Sequence, residues 1–169
     1  MLPTVRTILC ALDLEPGTDA VFRQAAGLAE SFGARVVVVH AVRPLGPSAK
    51  ALLGIHLSAE QMGEIRQRLR SQAAAQIRAH MDRVCRGETK RQPGRDPDWA
   101  ALVVEGQPAE VVLEEVRSCG ADLIVMGSHG HTAVGEMVLG TTAHKVVLRS
   151  PVPVLLVPVS KKGGGEWTG

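Results

Sequence analysis

The sequence predicts an α/β fold in which helices cover both faces of a parallel β-sheet. Short apolar runs alternate with segments of helical periodicity along the 169 residues, and this alternation is typical of the class. One run contains four consecutive valines at 36–39, and a continuous β-branched run is typical of a strand that is buried on both faces. Aromatic residues make up 2% of the chain and hydrophobic residues 45%, so the expected core is aliphatic.

Two strands and two helices are predicted in the first half of the chain. In order, these elements are strand 5–12, helix 18–32, strand 35–42, a loop over 43–57 and one long helix over 58–85. Asp13 marks the end of the first strand, and Gly33 stands where it would terminate the first helix. Ser58 and Gln61 have the spacing of a capping box at the start of the long helix. At ~1.5 Å per residue that helix would reach roughly 40 Å, so a kink or a split stays open.

The second half is predicted to continue the alternation to the end of the sheet. After a loop over 87–98, its elements are strand 100–104, helix 108–119, strand 122–126, helix 142–149 and strand 154–157. Pro108 suits the first turn of its helix, and Ser150-Pro151 stops the last one. At roughly 100–200 residues per domain, we expect a single domain over residues 1–160. The polar, glycine-rich residues 161–169 are expected to form a flexible tail.

Composition argues against several classes of partner. Lys and Arg total 19 and Asp and Glu total 17, whereas nucleic-acid-binding domains usually show a strong basic excess. No apolar stretch approaches the ~18 residues of a membrane span, and the first residues lack the pattern of a signal peptide. Three dispersed cysteines fit neither a disulfide scaffold nor a zinc site. We therefore expect a cytoplasmic protein with no nucleic-acid and no membrane partner.

The most informative segment is rich in glycine and joins the fourth predicted strand to the last helix. It consists of Gly127-Ser128-His129-Gly130, nine further residues, and then Gly140-Thr141-Thr142. Glycine lets a ligand approach the backbone closely, and successive N–H groups in such turns bind anions. Thr141 is expected to cap the helix, whose N-terminus attracts phosphate, and both threonine hydroxyls are expected to add hydrogen bonds. The residues alone leave open a structural role in which the glycines only form tight turns.

Other chemistry near this segment is less well supported. Gly130 and Gly135 have the spacing of a Walker motif, but Glu136 stands where lysine is required. His129 and His131 are too few for a metal site of fixed geometry, so phosphate contact or loop packing is favoured for His129 and no metal ligand is expected.

Four segments of the chain are similar to one known family. They are ILCALDLEPGTDAVFRQAAGLA, ARVVVVHAV, EGQPAEVVLEEV and GSHGHTAVGEMVLGTTAHKVVLRSPVPVLLVP. Over about residues 4–159 the chain resembles the universal stress protein family. The G-x2-G-x9-G-(S/T) signature of its ATP-binding branch is matched at Gly127, Gly130, Gly140 and Thr141.

This resemblance implies a fold, a ligand and a set of contacts. The implied fold is a Rossmann-like, open five-stranded parallel sheet of order 3-2-1-4-5, and the implied ligand is ATP. The implied site comprises Gly127, Gly130, Gly140 and Thr141 for the phosphates and ribose, Asp13 for the nucleoside, main-chain groups of Ala41 for the adenine edge, and Leu12 and Met126 for the pocket wall.

The resemblance also implies a homodimer and raises a question about a metal. Family members commonly pair their last strands in antiparallel fashion, which here involves Pro153 to Val157. Glu15 stands where the family often has a small polar residue. In addition to Asp13, a second carboxylate near the phosphates would repel them unless Mg²⁺ lies between. The favoured orientation of the Glu15 side chain is therefore toward solvent, and the residues leave the requirement for Mg²⁺ open.

The favoured hypothesis for function is an ATP-binding regulatory module of the stress response. Its bound nucleotide would tune stability, dimerisation or the choice of partner. One alternative is a nucleotide hydrolase, against which no Ser/His/Asp arrangement is evident. Another is a nucleotide-free interaction module that uses the basic stretch 58–95, where nine Arg and Lys stand against four Asp and Glu. For that stretch a solvated helix face is the favoured interpretation.

Overall fold

Strands and helices follow one another along the described part of the chain, with two successive helices between the second and third strands. The computed structural model describes residues 4–14, 17–87, 98–128 and 139–159. Its elements, in order, are β1 (Thr7–Ala11), α1 (Thr18–Phe32), β2 (Arg35–Val42), α2 (Pro47–Gly54), α3 (Ala59–Gly87), β3 (Trp99–Glu105), α4 (Pro108–Cys119), β4 (Leu123–Gly127), α5 (Thr141–Arg149) and β5 (Val154–Val157).

The five strands form one parallel sheet of order β3-β2-β1-β4-β5. At the centre of the sheet, Cys10 of β1 lies opposite Val38 of β2 and Val125 of β4. The chain winds outward through β2 and β3, then returns to the other side of β1 with β4. This confirms the predicted class and strand order, and it places the reversal of winding between β1 and β4.

Apolar side chains pack on both faces of the sheet. On one face, Phe22 of α1 and Met81 of α3 join Cys10 in a fully buried cluster. On the other face, Val112 of α4 and Val146 of α5 pack with Ile124 of β4. Helices therefore cover both faces, as predicted from the continuous β-branched run.

The loop predicted over 43–57 is wrong in part, because α2 forms within it. Pro47 occupies the start of α2, where a missing N–H is tolerated because it has no partner within the helix. The glycines and prolines around it favoured the prediction of a loop instead. No residue of α2 is buried. The helix therefore gains no stability from packing against the core, and local sequence gives only a weak signal for it.

The long helix α3 is a single helix, so the split left open above does not occur. The predicted capping box forms: the Ser58 N–H donates to Gln61 Oε1 at 2.8 Å, and the Gln61 N–H donates to Ser58 Oγ at 3.2 Å. Only the later part of α3 reaches the core, through Ile77, Met81 and Cys85. Residues 59–72 include no buried side chain.

Candidate functional site

A cavity of about 350 Å³ opens at the carboxyl ends of the central strands. Eight of the residues predicted for the site line it, namely Leu12, Asp13, Ala41, Met126, Gly127, Gly140, Thr141 and Thr142. Ser128 lies next to Gly127 but is not part of the lining, and His129 and Gly130 fall outside the described residues. The cavity thus collects most of the predicted site where the winding of the sheet reverses.

The turn that follows β1 forms one side of this cavity. The Leu12 N–H donates to the Val39 carbonyl at 3.0 Å, which ties the turn to β2. Leu14 has a φ of 61°, a left-handed conformation that non-glycine residues seldom adopt. The carboxylate of Asp13 accepts a hydrogen bond from the Thr18 hydroxyl at 3.4 Å. The sharp turn therefore holds the Asp13 carboxylate at the cavity wall.

His40 joins the same turn to β2. Its Nδ1 lies 2.9 Å from the Leu12 carbonyl oxygen. A carbonyl oxygen only accepts hydrogen bonds, so Nδ1 carries a proton. His40 therefore anchors the turn after β1 to β2 and also lines the cavity.

At another wall of the cavity, the backbone at two glycines lies close to the side chain of Val159. A β-carbon placed on Gly17 would lie 2.0 Å from Cγ1 of Val159, and one on Gly127 would lie 3.1 Å from Cγ2 of Val159. Gly17 also has a φ of 101°. Glycine at these two positions therefore lets the segment after β5 pack across the ends of α1 and β4.

The N-terminus of α5 opens into the cavity. The Gly140 N–H donates to the Ser128 carbonyl at 2.9 Å, and the Gly140 carbonyl accepts from the His144 N–H at 2.8 Å. Gly140 is therefore the N-cap, and the prediction that Thr141 caps the helix is wrong: Thr141 is the first helical residue. Among the described residues no side chain caps this end, and its first turn holds no acidic residue. The first-turn N–H groups and the helix dipole thus favour an anion here.

A surface ion pair links α5 to α4. The guanidinium of Arg149 donates to both carboxylate oxygens of Glu110, at 2.5 and 3.2 Å. The hydrogen bonds from Arg149 hold the pKa of the Glu110 carboxyl below its usual range. This bidentate contact is exposed, so it contributes little to stability.

The cavity lining combines aliphatic and charged residues. Its walls include Val21, Val39 and Val112, and its charged lining residues within the described chain are Asp13 and Arg43. Over that same part of the chain, no three His, Cys, Asp or Glu side chains are grouped as metal ligands. Likewise, none of the helices described is both long and apolar enough to cross a membrane.

Sequence analysis missed several residues of the lining. Arg43, Pro108 and Val159 line the cavity without having been predicted to do so. Arg43 directly follows β2, and Pro108 begins α4 three positions after the last residue of β3. Both lie near the carboxyl ends of strands, where ligands are expected to bind in this fold class. Val159 follows the last strand, and no local pattern indicates its contact with Gly17.

The fold and this cavity define an open parallel α/β protein with a cleft at the point where the winding of its sheet reverses. The model of the Universal stress protein family matches residues 4–158. The chain belongs to the universal stress protein family.

Known relatives cover almost the whole chain. The protein called "Universal stress protein in QAH/OAS sulfhydrylase 3'region" of Thermus aquaticus is 38% identical over 155 residues, which span 90% of this chain and 98% of the relative. A universal stress protein crystallised in complex with cAMP has a TM-score of 0.61 at 18% identity, covering 94% of this chain and 100% of its own. A universal stress protein family protein from Arabidopsis thaliana with AMP bound has a TM-score of 0.56 at 12% identity, covering 95% and 96%. At these identities the two structures show a shared fold.

Proposed function

We propose that this chain binds ATP in the cavity and acts as a nucleotide-dependent regulatory module of the stress response. The observation that carries the proposal is the N-terminus of α5, which no described side chain caps and which presents main-chain donors to the cavity beside Gly127 and Gly140. Main-chain N–H groups at a helix N-terminus suit a phosphate. The cavity volume of about 350 Å³ lies within the usual range for ligand pockets, roughly 300–1,000 Å³.

The site residues have distinct proposed roles. The phosphates lie against α5, where Thr141 and Thr142 offer hydroxyls. We assign Ser128, His129 and Gly130 of the glycine-rich segment to the phosphates as well, the last two of them outside the described residues. The nucleoside lies beside Asp13, and the base reaches the main chain of Ala41 between the walls formed by Leu12 and Met126. The relatives solved with cAMP and AMP support an adenine nucleotide as the ligand.

The described lining also bears on the metal. Among the described lining residues, Asp13 supplies the carboxylate. Mg²⁺ in nucleotide sites is typically held by one or two carboxylates together with the phosphates of the substrate. Because a single carboxylate supplies too few ligands, we propose that Mg²⁺ enters the site bound to the triphosphate.

Nucleotide binding regulates the protein through stability and assembly. A ligand that binds only the folded chain stabilises it by about 2.7 kcal/mol at a hundredfold excess over its Kd. If two assembly states bind ATP with different affinities, the same free energy shifts the equilibrium between them.

Two variants of one residue test the role of the helix N-terminus. Thr141→Ala removes a hydroxyl, whereas Thr141→Pro removes both the hydroxyl and the main-chain N–H. Proline is favoured at the first helical position, and Gly140 already has the extended backbone that precedes a proline, with φ −58° and ψ 147°. The two variants should therefore keep α5 intact.

The measurement is isothermal titration with ATP and Mg²⁺, with circular dichroism to confirm folding. A hydrogen bond to a charged group contributes about 1.5–3 kcal/mol, so Thr141→Pro should bind at least about tenfold more weakly than Thr141→Ala. Equal affinities of the two variants, or a wild-type chain that binds no ATP, would contradict the proposal.

We also propose a homodimer formed through β5. This strand lies at the edge of the sheet, and an unpaired edge favours addition of another strand. Apolar side chains are exposed beside it, with Leu148 of α5 71% exposed and Leu155 of β5 37% exposed. The pairing involves Pro153 to Val157 of two copies.

Light scattering coupled to gel filtration tests the dimer. Leu155→Glu should convert a dimer to a monomer, because it introduces like charges into the paired edge. Leu52→Glu is the matched control, since Leu52 is 68% exposed on α2, away from β5. A wild-type monomer, or dimers of equal stability in both variants, would refute the proposed interface.

A further inference from the structure

Arg43 is a cavity residue to which the proposal above assigns no role. It follows β2 directly and lines the mouth of the cavity, where its side chain is exposed. It is the Lys or Arg side chain among the described lining residues. Pro44 follows it and restricts the Arg43 backbone to extended conformations, which limits where the side chain can reach.

The strand order separates Arg43 from the anion-binding end. β1 lies between β2 and β4, and neighbouring strands are about 4.8 Å apart, so β2 and β4 are separated by roughly 10 Å. Gly127 ends β4, and Gly140 precedes α5, on the side away from β2. A nucleotide whose phosphates lie at α5 therefore directs its base toward β2 and Arg43.

The described lining offers a base few flat partners besides Arg43. It contains no Phe, Tyr or Trp, and its one described imidazole, that of His40, is held through Nδ1 at the Leu12 carbonyl. Ala41, Pro108 and Val112 are small or aliphatic. A guanidinium group is planar and cationic, and it stacks on aromatic faces. Arg43 thus has both the position and the shape to cover the exposed face of a purine.

We propose that Arg43 is a base-binding residue that stacks on the nucleobase and does not bind the phosphates. This inference rests on the proposed nucleotide function and deepens it, since it assigns the recognition of the base to this side chain. Stacking requires contact with the base, so its contribution to affinity does not depend on the number of phosphates. An attraction due only to the positive charge of Arg43 would increase with the number of phosphates.

Isothermal titration with AMP, ADP and ATP tests the inference on the full chain. Arg43→Ala should raise the Kd of all three ligands by the same factor of about two to five, the range for an exposed cation–π contact. Lys50→Ala is the matched control: it removes one exposed positive charge from α2, which is not part of the described lining, and should leave each Kd unchanged. Arg43→Lys should recover only part of the affinity, because an ammonium group is not planar.

Three results would overturn the inference while nucleotide binding itself stands. If the loss of affinity in Arg43→Ala grows from AMP to ATP, Arg43 binds the phosphates. If the Kd values of Arg43→Ala equal those of the wild-type chain, the side chain does not contact the nucleotide. If Lys50→Ala loses as much affinity as Arg43→Ala, the effect is one of net charge and not of contact with the base. A wild-type chain that binds none of the three ligands would overturn the proposed function, and this inference with it.

Discussion

The contact between Gly17 and Val159 allows a quantitative test of the cavity wall. Gly17→Ala introduces two costs. The first is a φ of 101° that disfavours any side chain, at about 1–2 kcal/mol for left-handed backbone. The second is a β-carbon only 2.0 Å from Cγ1 of Val159, and such overpacking typically costs about 1–3 kcal/mol. Together they predict a loss of about 2–5 kcal/mol in the free energy of unfolding.

Two other glycines separate these costs. Gly33 has a φ of 65° with open space around it, so Gly33→Ala should lose only the conformational part, about 1–2 kcal/mol. Gly27 lies inside α1 with no heavy atom within 4 Å of a built β-carbon, so Gly27→Ala should gain up to about 1 kcal/mol from helix propensity. Comparing the free energies of unfolding of the three variants therefore separates the cost of the contact with Val159 from the cost of the backbone conformation.

The assay is urea unfolding followed by far-ultraviolet circular dichroism, together with a double-mutant cycle. Val159→Ala removes the two methyl groups that meet the new β-carbon, so it should relieve most of the overpacking in Gly17→Ala. The predicted coupling energy is about 1–3 kcal/mol. If Gly17→Ala costs no more than Gly33→Ala, or if Val159→Ala rescues nothing, the segment after β5 does not pack against Gly17 and the description of this wall fails.

Three further predictions concern other parts of the chain. Because the pKa of Glu110 is lowered in the folded state, its carboxylate stabilises that state at pH values above the usual carboxyl pKa, and this contribution is lost as pH falls through the lowered pKa. In Glu110→Gln, the free energy of unfolding should therefore fall less steeply with pH in that window. Burial raises the pKa of the Cys10 thiol far above its usual value, so in a variant without the other two cysteines a thiol reagent at pH 8 should react with Cys10 only after denaturation. Hydrogen exchange should be fast at Leu69, where α3 is exposed, and slow at Met81, which is fully buried.

Elements with strong local signals were predicted to within a residue or two. Helix α1 has the predicted bounds because Gly33 adopts the left-handed conformation that ends a helix, with its N–H donating to the Ala29 carbonyl. β2 and β5 also match, since short apolar runs bounded by turn residues leave few alternatives. The strand order could not be obtained from local patterns, and it came from the family resemblance.

The remaining differences have physical causes. α2 was missed because it buries no side chain, so no hydrophobic pattern distinguishes it from a loop. Thr141 was misplaced by one position because a main-chain bond from Gly140 to Ser128 sets the start of α5, and no sequence motif records that bond. Arg43 and Val159 enter the cavity through tertiary packing, which depends on the order of the strands and on where β5 ends.

A crystal structure of the chain grown with ATP and Mg²⁺ would locate the nucleotide on the protein. We expect electron density for phosphates at the main-chain N–H groups that begin α5, with the purine beside Ala41 and under the Arg43 guanidinium. Phosphates bound elsewhere on the protein, or a nucleotide oriented with its base at α5, would contradict this expectation.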